Sequence, residues 1–363
     1  MVRAPQELAA AAAPYECVRI TDLRDVDVRL LRFDFDLTLA VVLMNADGTI
    51  YHRFGTRPGS DPLAWSSIPA LVQLLRDTLD DHRSYERAPS PPRAQPPLRA
   101  IDLPPLQQRL AAGQKVECVH CHMVHDAEHR IAVDSHAWRD SDKWLHPEPA
   151  RLGLDLDPAD QARVRAVAGG SPAAAAGLRA GDRLLRIGGG PRLRTIADVQ
   201  WELHHAVAGA CELSVEFARA PAAGQTAPMT ATATVVLPDG WKECSPRDYA
   251  WRPFQWNLSP SPGFGGPMLT AAERRERGLP PDRLALRVQY IVDWGERAAG
   301  GKAVRAAGVK EGDIVLSFAG ADDFESAPHF QAWVRLHCHV GDPVDVTLLR
   351  DGERRTVHYA LPE

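Results

Sequence analysis

The sequence predicts a multi-domain α+β protein, and three observations predict it. At 363 residues the chain exceeds one ordinary domain, so about two to four compact units are expected. A proline-rich stretch, RAPSPPRAQPPLRAIDLPP (87–105), reads as an extended linker between units. In the second half AAAAGLRAGDRLLRI aligns with AVRAAGVKEGDIVLSF, and similar apolar runs surround both copies, which marks an internal repeat.

Composition narrows the classes. Apolar residues at 45% and charged residues at 25% are those of a globular protein able to bury real cores. A net charge of -5 with no run of five like charges lacks the basic footprint of a nucleic-acid or anionic-membrane binder. No apolar stretch approaches the roughly 20 residues of a membrane span. The start, MVRAPQELAAAAAPYE, has no secretory-signal pattern. A periplasmic or extracytoplasmic location is expected if the N-terminus is truncated, and a cytoplasmic one if Met1 is the true start. Cysteines at 17, 118, 121, 211, 244 and 338 are too sparse for a disulfide framework, and only one pair is close.

From the N-terminus, PQELAAAAA suggests a helix end and ECVRI a short strand carrying Cys17. LTLAVVLMNADGTIYHRFG (37–55) reads as two strands joined at Asp47-Gly48. In the next helix Ile68, Leu71, Leu74, Leu75 and Leu79 form one apolar stripe. This order resembles the later part of a thioredoxin-like unit whose first strand and CxxC turn are missing. The resemblance implies no dithiol exchange by this unit, because Cys17 falls on a strand and no proline occurs between Asp34 and Asp47. A start placed too far downstream would account for the missing strand, the CxxC and an export signal together.

The segment 106–147 is short, His-rich and helical in pieces, too small for a large core and in need of a ligand or a neighbour. It contains VECVHCHMVHDAEH (116–129), in which Cys118, Cys121 and His122 spell C-x-x-C-H, the pattern of haem c attachment. Cysteines one helical turn apart would form thioethers, and the adjacent imidazole would reach iron. His129, His136 or His146 are the candidate distal ligands, with His125 on the same side as His122 and Met123 pointing elsewhere. The competing readings are a zinc or copper site of Cys118, Cys121, His125 and His129, a plain redox dithiol, or packing with surface histidines.

Both copies of the repeat resemble PDZ domains of the bacterial type appended to high-temperature-requirement serine proteases: a small-residue helix, an Ala-Gly turn, and Gly-Asp leading into a strand. The resemblance implies a sheet edge beside a helix where an extended peptide adds as a strand, its carboxylate held by amides of a Gly-containing loop. The matching loop is Leu152, Gly153 and Leu154 in the first copy, and Gly263, Phe264, Gly265 and Gly266 in the second. The groove helices are expected from about Ile196 to Ala206 and from about Ala327 to His339. Asp182 and Asp313 read as turn residues. The nucleophile loop of those proteases, a Gly-Asn-Ser-Gly-Gly-type segment, does not occur in the chain.

The expected map is a thioredoxin-like unit (1–86), the linker (87–105), the C-x-x-C-H segment (106–147), two PDZ-like β-barrel or sandwich domains (148–237 and 261–363), and an aromatic strap between these two (238–260). The arrangement resembles the thioredoxin-like/PDZ proteins of environmental bacteria, some of them selenoproteins. The expected function is redox or electron transfer at haem c, with the PDZ modules recruiting a peptide or protein partner. The alternatives are a non-catalytic PDZ scaffold with a Cys/His metal site, or a thiol-disulfide oxidoreductase whose CxxC lies upstream.

Overall fold

The computed structural model describes residues 5–37, 39–59, 61–85, 96–221, 228–295 and 298–362. The chain divides into two compact units, Met1–Cys244 and Ser245–Glu363. Residues 87–95 of the expected linker lie outside the described residues.

The first unit begins with helix α1 (Gln6–Ala12), strands β1 (Val41–Met44) and β2 (Ile50–Phe54), and helix α2 (Ile68–Arg83). The strands pair antiparallel as expected, and the Asn45 side chain shapes their turn by accepting from the Asp47 and Thr49 amides. Ser67 caps α2, and Leu74 and Leu75 pack with Leu43 and Phe54. The expected strand at 16–20 does not form, and Val18 and Ile20 are exposed. The apolar face of the hairpin is already filled by α1 and α2, so a third strand has nothing to cover. The result is a two-stranded sheet without the thioredoxin-like arrangement among the described residues.

A second core joins residues 22–36 to 98–134 and corrects the expected boundaries. The amides of Val28, Ala100 and Ile101 bond the carbonyls of Leu98, Val26 and Arg24 at 2.9, 3.1 and 3.0 Å. Leu98, Ala100, Ile101 and Leu103 are thus structural residues rather than linker. With Val28 and Phe35 they enclose helix α3 (Pro104–Ala111) and helix α4 (Cys121–Asp134) through Leu106, Val119, Val124 and Ala127. The C-x-x-C-H segment has its neighbour in the chain itself.

The unit ends with β3 (Leu154–Leu156), β4 (Val164–Val167), α5 (Pro172–Ala175), β5 (Arg183–Ile187), α6 (Ile196–His205), β6 (Cys211–Arg219) and β7 (Met229–Leu237). β3 pairs with β4, and β5-β6-β7 form an antiparallel sheet. Val199 and Leu203 seat α6 on Leu184, Val215 and Val235. Trp241, at the start of the expected strap, closes this core.

The second unit carries α7 (Pro246–Tyr249), β8 (Phe264–Gly265), α8 (Ala271–Glu276), β9 (Leu286–Arg287), β10 (Tyr290–Ile291), α9 (Ala298–Ala306), β11 (Ile314–Phe318), α10 (Ala327–His337), β12 (Pro343–Arg350) and β13 (Glu353–Ala360). Apart from α7 and α8 and the split of one strand into β9 and β10, the order repeats that of the first unit from β3 onward. Its sheets are β10-β8 and β13-β12-β11-β9.

The sequence repeat has a physical counterpart. Arg219 donates Nε and Nη2 to Asp182, each at 2.7 Å, and Nη2 also reaches the Gly177 carbonyl at 2.9 Å. Arg350 grips Asp313 at 2.6 and 2.7 Å and the Gly308 carbonyl at 2.7 Å. Each aspartate also accepts the amide three residues before it, Arg179 or Lys310, both at 2.8 Å. The two carboxylates are buried turn residues whose charge is met by a planar fork. Replacing Asp182 with Asn is expected to destabilise its unit by about 2 to 4 kcal/mol. Hydrogen exchange of the full chain checks this: Asp182→Asn should deprotect β5 to β7 and leave β11 to β13 unchanged, with the reverse for Asp313→Asn.

Candidate functional site

The CVHCH segment enters α4 with His120 as N-cap and Cys121 as the first helical residue. Cys118, His120 and His122 are exposed, and the rings of His120 and His122 stack at 5.8 Å. Cys121 turns the other way: it packs on the 22–36 core and its Sγ lies 3.6 Å from the Leu37 carbonyl. Burial, with the charges of Asp36 and Asp34 added, pushes its thiol above the ordinary value. This is the opposite of the lowered value that activates a dithiol.

Haem c needs both sulfurs and the imidazole on one apolar cleft. Here Cys121 faces the core while Cys118 and His122 face outward, so the residues do not fit the group as arranged. The metal alternative meets a similar obstacle. His125 is buried with Nδ1 3.5 Å from Asp36, and His129 stands edge-on to Trp138 at 4.4 Å. Cys121, His125 and His129 run along one continuous helix over about 12 Å, a row rather than a tetrahedron. Among the described residues no group of three or more His, Cys, Asp or Glu side chains is placed to hold a metal ion. Met123 joins the apolar core, His136 is exposed, and His146 is buried against His204 with ring centroids 4.2 Å apart.

The residues expected to form the two loops are packed tightly into their own units. Leu152 and Leu154 are buried in the first core, with Gly153 between them at φ 85°. A Cβ on Gly153 would sit 2.1 Å from Ser171 Cβ, and one on Gly263 would sit 2.7 Å from the Gly300 carbonyl oxygen. Cβ atoms on Gly265 and Gly266 would strike Tyr290 and Arg287. Close packing inside each module therefore requires these glycines, whatever the loops bind.

In the first copy the Ala168 amide bonds the Gly153 carbonyl at 2.9 Å, and Leu154 opposes Val167. By strand alternation the N–H and C=O of Leu154 point to the edge away from β4. In the second, Val292 and Gln289 bond the carbonyls of Gly263 and Gly265, each at 2.9 Å. The Phe264 carbonyl therefore points to the other edge, where Gln331 of α10 donates Nε2 to it at 3.0 Å.

Gln200 of α6 holds the position of Gln331, since Val199 and Leu203 match the core residues Phe330 and Val334. The face of each helix that carries this glutamine is covered by the same unit's own chain. Gln200 accepts from the Thr56 hydroxyl and donates to the His146 carbonyl at 3.1 Å. The Arg53 guanidinium lies 3.6 Å over the Trp201 ring. In the second unit α7 packs on α10, the Arg335 guanidinium lies 5.1 Å from the Trp256 ring, and Arg335 donates to the Gln331 side chain at 2.6 Å. The expected aromatic strap thus supplies Trp241 to the first unit and Tyr249, Phe254 and Trp256 to the second.

A charged cluster fixes the cover of α6. Asp198 closes a capping box with Thr195. Its carboxylate also accepts from the Arg53 amide at 2.8 Å and lies 2.9 Å from His52 Nδ1. The other ring nitrogen, Nε2, lies 3.0 Å from Asp81 of α2, which is gripped by Arg194 at 2.7 Å through two nitrogens. Burial pulls the pKa of His52 down, but the hydrogen bonds and charges of Asp198 and Asp81 outweigh it and leave it raised. At the far end of α6 the Lys242 ammonium donates to the carbonyls of His204 and Ala206 at 2.7 and 2.6 Å. None of His52, Asp198, Gln200 or Trp201 stands out by motif. The available signals were a histidine inside the strand IYHRF and Thr195-x-x-Asp198 ahead of a helical stripe.

Residues 163–216 match the family model of the PDZ domain. Two solved chains of an HtrA-type protease, AlgW and a substituted form of it, each with a decapeptide, are similar at 12% identity. The likeness covers 40% of this chain and 41% and 40% of theirs, with TM-scores of 0.24 and 0.25. The matched part is thus well under half of those chains. No curated protein matches. The thioredoxin-like and selenoprotein resemblance finds no support in these comparisons, whereas the PDZ part does.

Iodoacetamide at mildly alkaline pH is expected to alkylate Cys118 several-fold faster than Cys121, read by peptide mass spectrometry. Equal rates would mean that Cys121 is not held against the Leu37 carbonyl.

Proposed function

We propose that the chain is a non-catalytic peptide-binding scaffold, with the PDZ domain around α6 taking an extended segment of a partner protein that ends in a free carboxylate. The observation that carries this reading is the edge of β3 at Leu154, unpaired among the described residues and joined through β4 to the region 163–216 that matches the PDZ family. Strand addition there takes its affinity from main-chain hydrogen bonds, and the loop Leu152–Leu154 is where the terminal carboxylate would sit.

The same reading extends to the second unit on its repeated order of elements and its twin Asp–Arg fork. There the loop is Gly263–Gly266, and a ligand must take the Phe264 carbonyl from Gln331. No hydrolytic or redox role is needed for this function.

Full-length protein on an array of partner-derived C-terminal peptides is the test. Free-acid peptides are expected to bind, and amidation or N-methylation of alternate backbone amides should weaken them by about tenfold or more. Binding that is indifferent to both changes would overturn strand addition.

A further inference from the structure

This inference rests on the peptide-binding reading and concerns how access to its first groove is controlled. The groove-side face of α6, formed by Ala197, Gln200 and Trp201, lines a pocket with Arg53, Phe54, Gly55, Thr56 and His146. A peptide lying along that face meets the segment 53–56 first. Phe54 belongs to the hairpin's own core with Leu43, Leu74 and Leu75, and what ties the segment to α6 is polar: the Arg53 amide to Asp198, Thr195 to the Arg53 carbonyl, Thr56 to Gln200, and His52 between Asp198 and Asp81.

His52 is the hinge of this set. Both its ring nitrogens face carboxylates, and a neutral imidazole carries only one N–H. Loss of a proton leaves one nitrogen lone pair opposed to a carboxylate inside a site where His52 is 3% exposed.

The groups that face it deepen the effect. Asp198 of α6 and Asp81 of α2 touch its two nitrogens, Asp77 of α2 faces Arg194, and Glu202 of α6, whose pKa is raised by burial and by Asp198, faces Arg53. Loss of the imidazolium removes the cation that lies between Asp198 and Asp81.

We propose that β2 and the segment 53–56 form a proton-held cover over the first groove, closed while His52 is an imidazolium and released when it becomes neutral, so that a peptide carboxyl terminus enters only after release. The sign follows from the direction in which its neighbours move His52. The latch is fully present below the ordinary value of 6.5 and is lost as pH rises through the raised one. Asp81, whose pKa is lowered against burial by Arg194 and His52, keeps its charge throughout that range.

The test uses the full chain from about pH 6 to about pH 9, with two readouts. Hydrogen exchange, corrected for its intrinsic pH dependence, is followed at 50–56 and 196–205. Capture of a random pool of free-acid decapeptides is measured beside it, with the amidated pool as control. Exchange in both segments and capture are expected to rise together, on the order of tenfold to a hundredfold across the titration. Thr56→Val, which removes the hydrogen bond to Gln200 and none of the charges around His52, should raise capture at the acid end.

Opening without any capture by the free-acid pool would overturn the peptide-binding reading itself. Capture that is independent of pH and of Thr56→Val would overturn the cover and leave that reading standing. Exchange that stays flat with pH would overturn the proton latch.

Discussion

The carboxylate of Asp198 holds two parts of the first unit at once. It completes the capping box that starts α6, and it accepts the Arg53 amide and faces His52 from β2. A helix begins with amides that lack partners in the helix, and here the group that serves them also docks the hairpin. The position of Gln200, the placement of Arg53 over Trp201 and the covering of the groove face all depend on that shared carboxylate. Because it is buried, its charge must be met, and His52 with the backbone amide of Arg194 meets it.

The two copies of the repeat share one framework and differ in what each adds to it. Both have the Asp–Arg fork under the Gly-Asp turn, and both place a glutamine at the same position, Gln200 on α6 and Gln331 on α10. They differ in the cover. In the first unit it is a distant hairpin held by ionised groups, whereas in the second it is the adjacent strap, held by rings and by Arg335. The second helix has His329 where the first has Asp198, and burial lowers the pKa of that histidine. The proton-held contact therefore belongs to the first copy alone.

The parts legible in the sequence are those governed by local rules. The hairpin followed from an apolar run and a second strand joined at Asp47-Gly48, α2 from its leucine stripe, and the repeat from a Gly-Asp turn that recurs with its flanking strands. What was not legible is non-local. Leu98 to Leu103 read as linker because prolines precede them, and only pairing with residues 24–28 makes them core. The C-x-x-C-H motif spells an attachment site in one dimension, but entry into a helix at Cys121 sends the second sulfur inward and the histidine outward. His52 and Asp198 are 146 residues apart, and nothing local announces that they meet.

The most direct measurement of the central claim is the protonation of His52 followed by NMR through its imidazole nitrogen shifts. The account predicts that both nitrogens carry protons at neutral pH and that the ring titrates above the ordinary histidine value of 6.5. A ring that titrates at or below that value, or sits as one neutral tautomer at neutral pH, would contradict it.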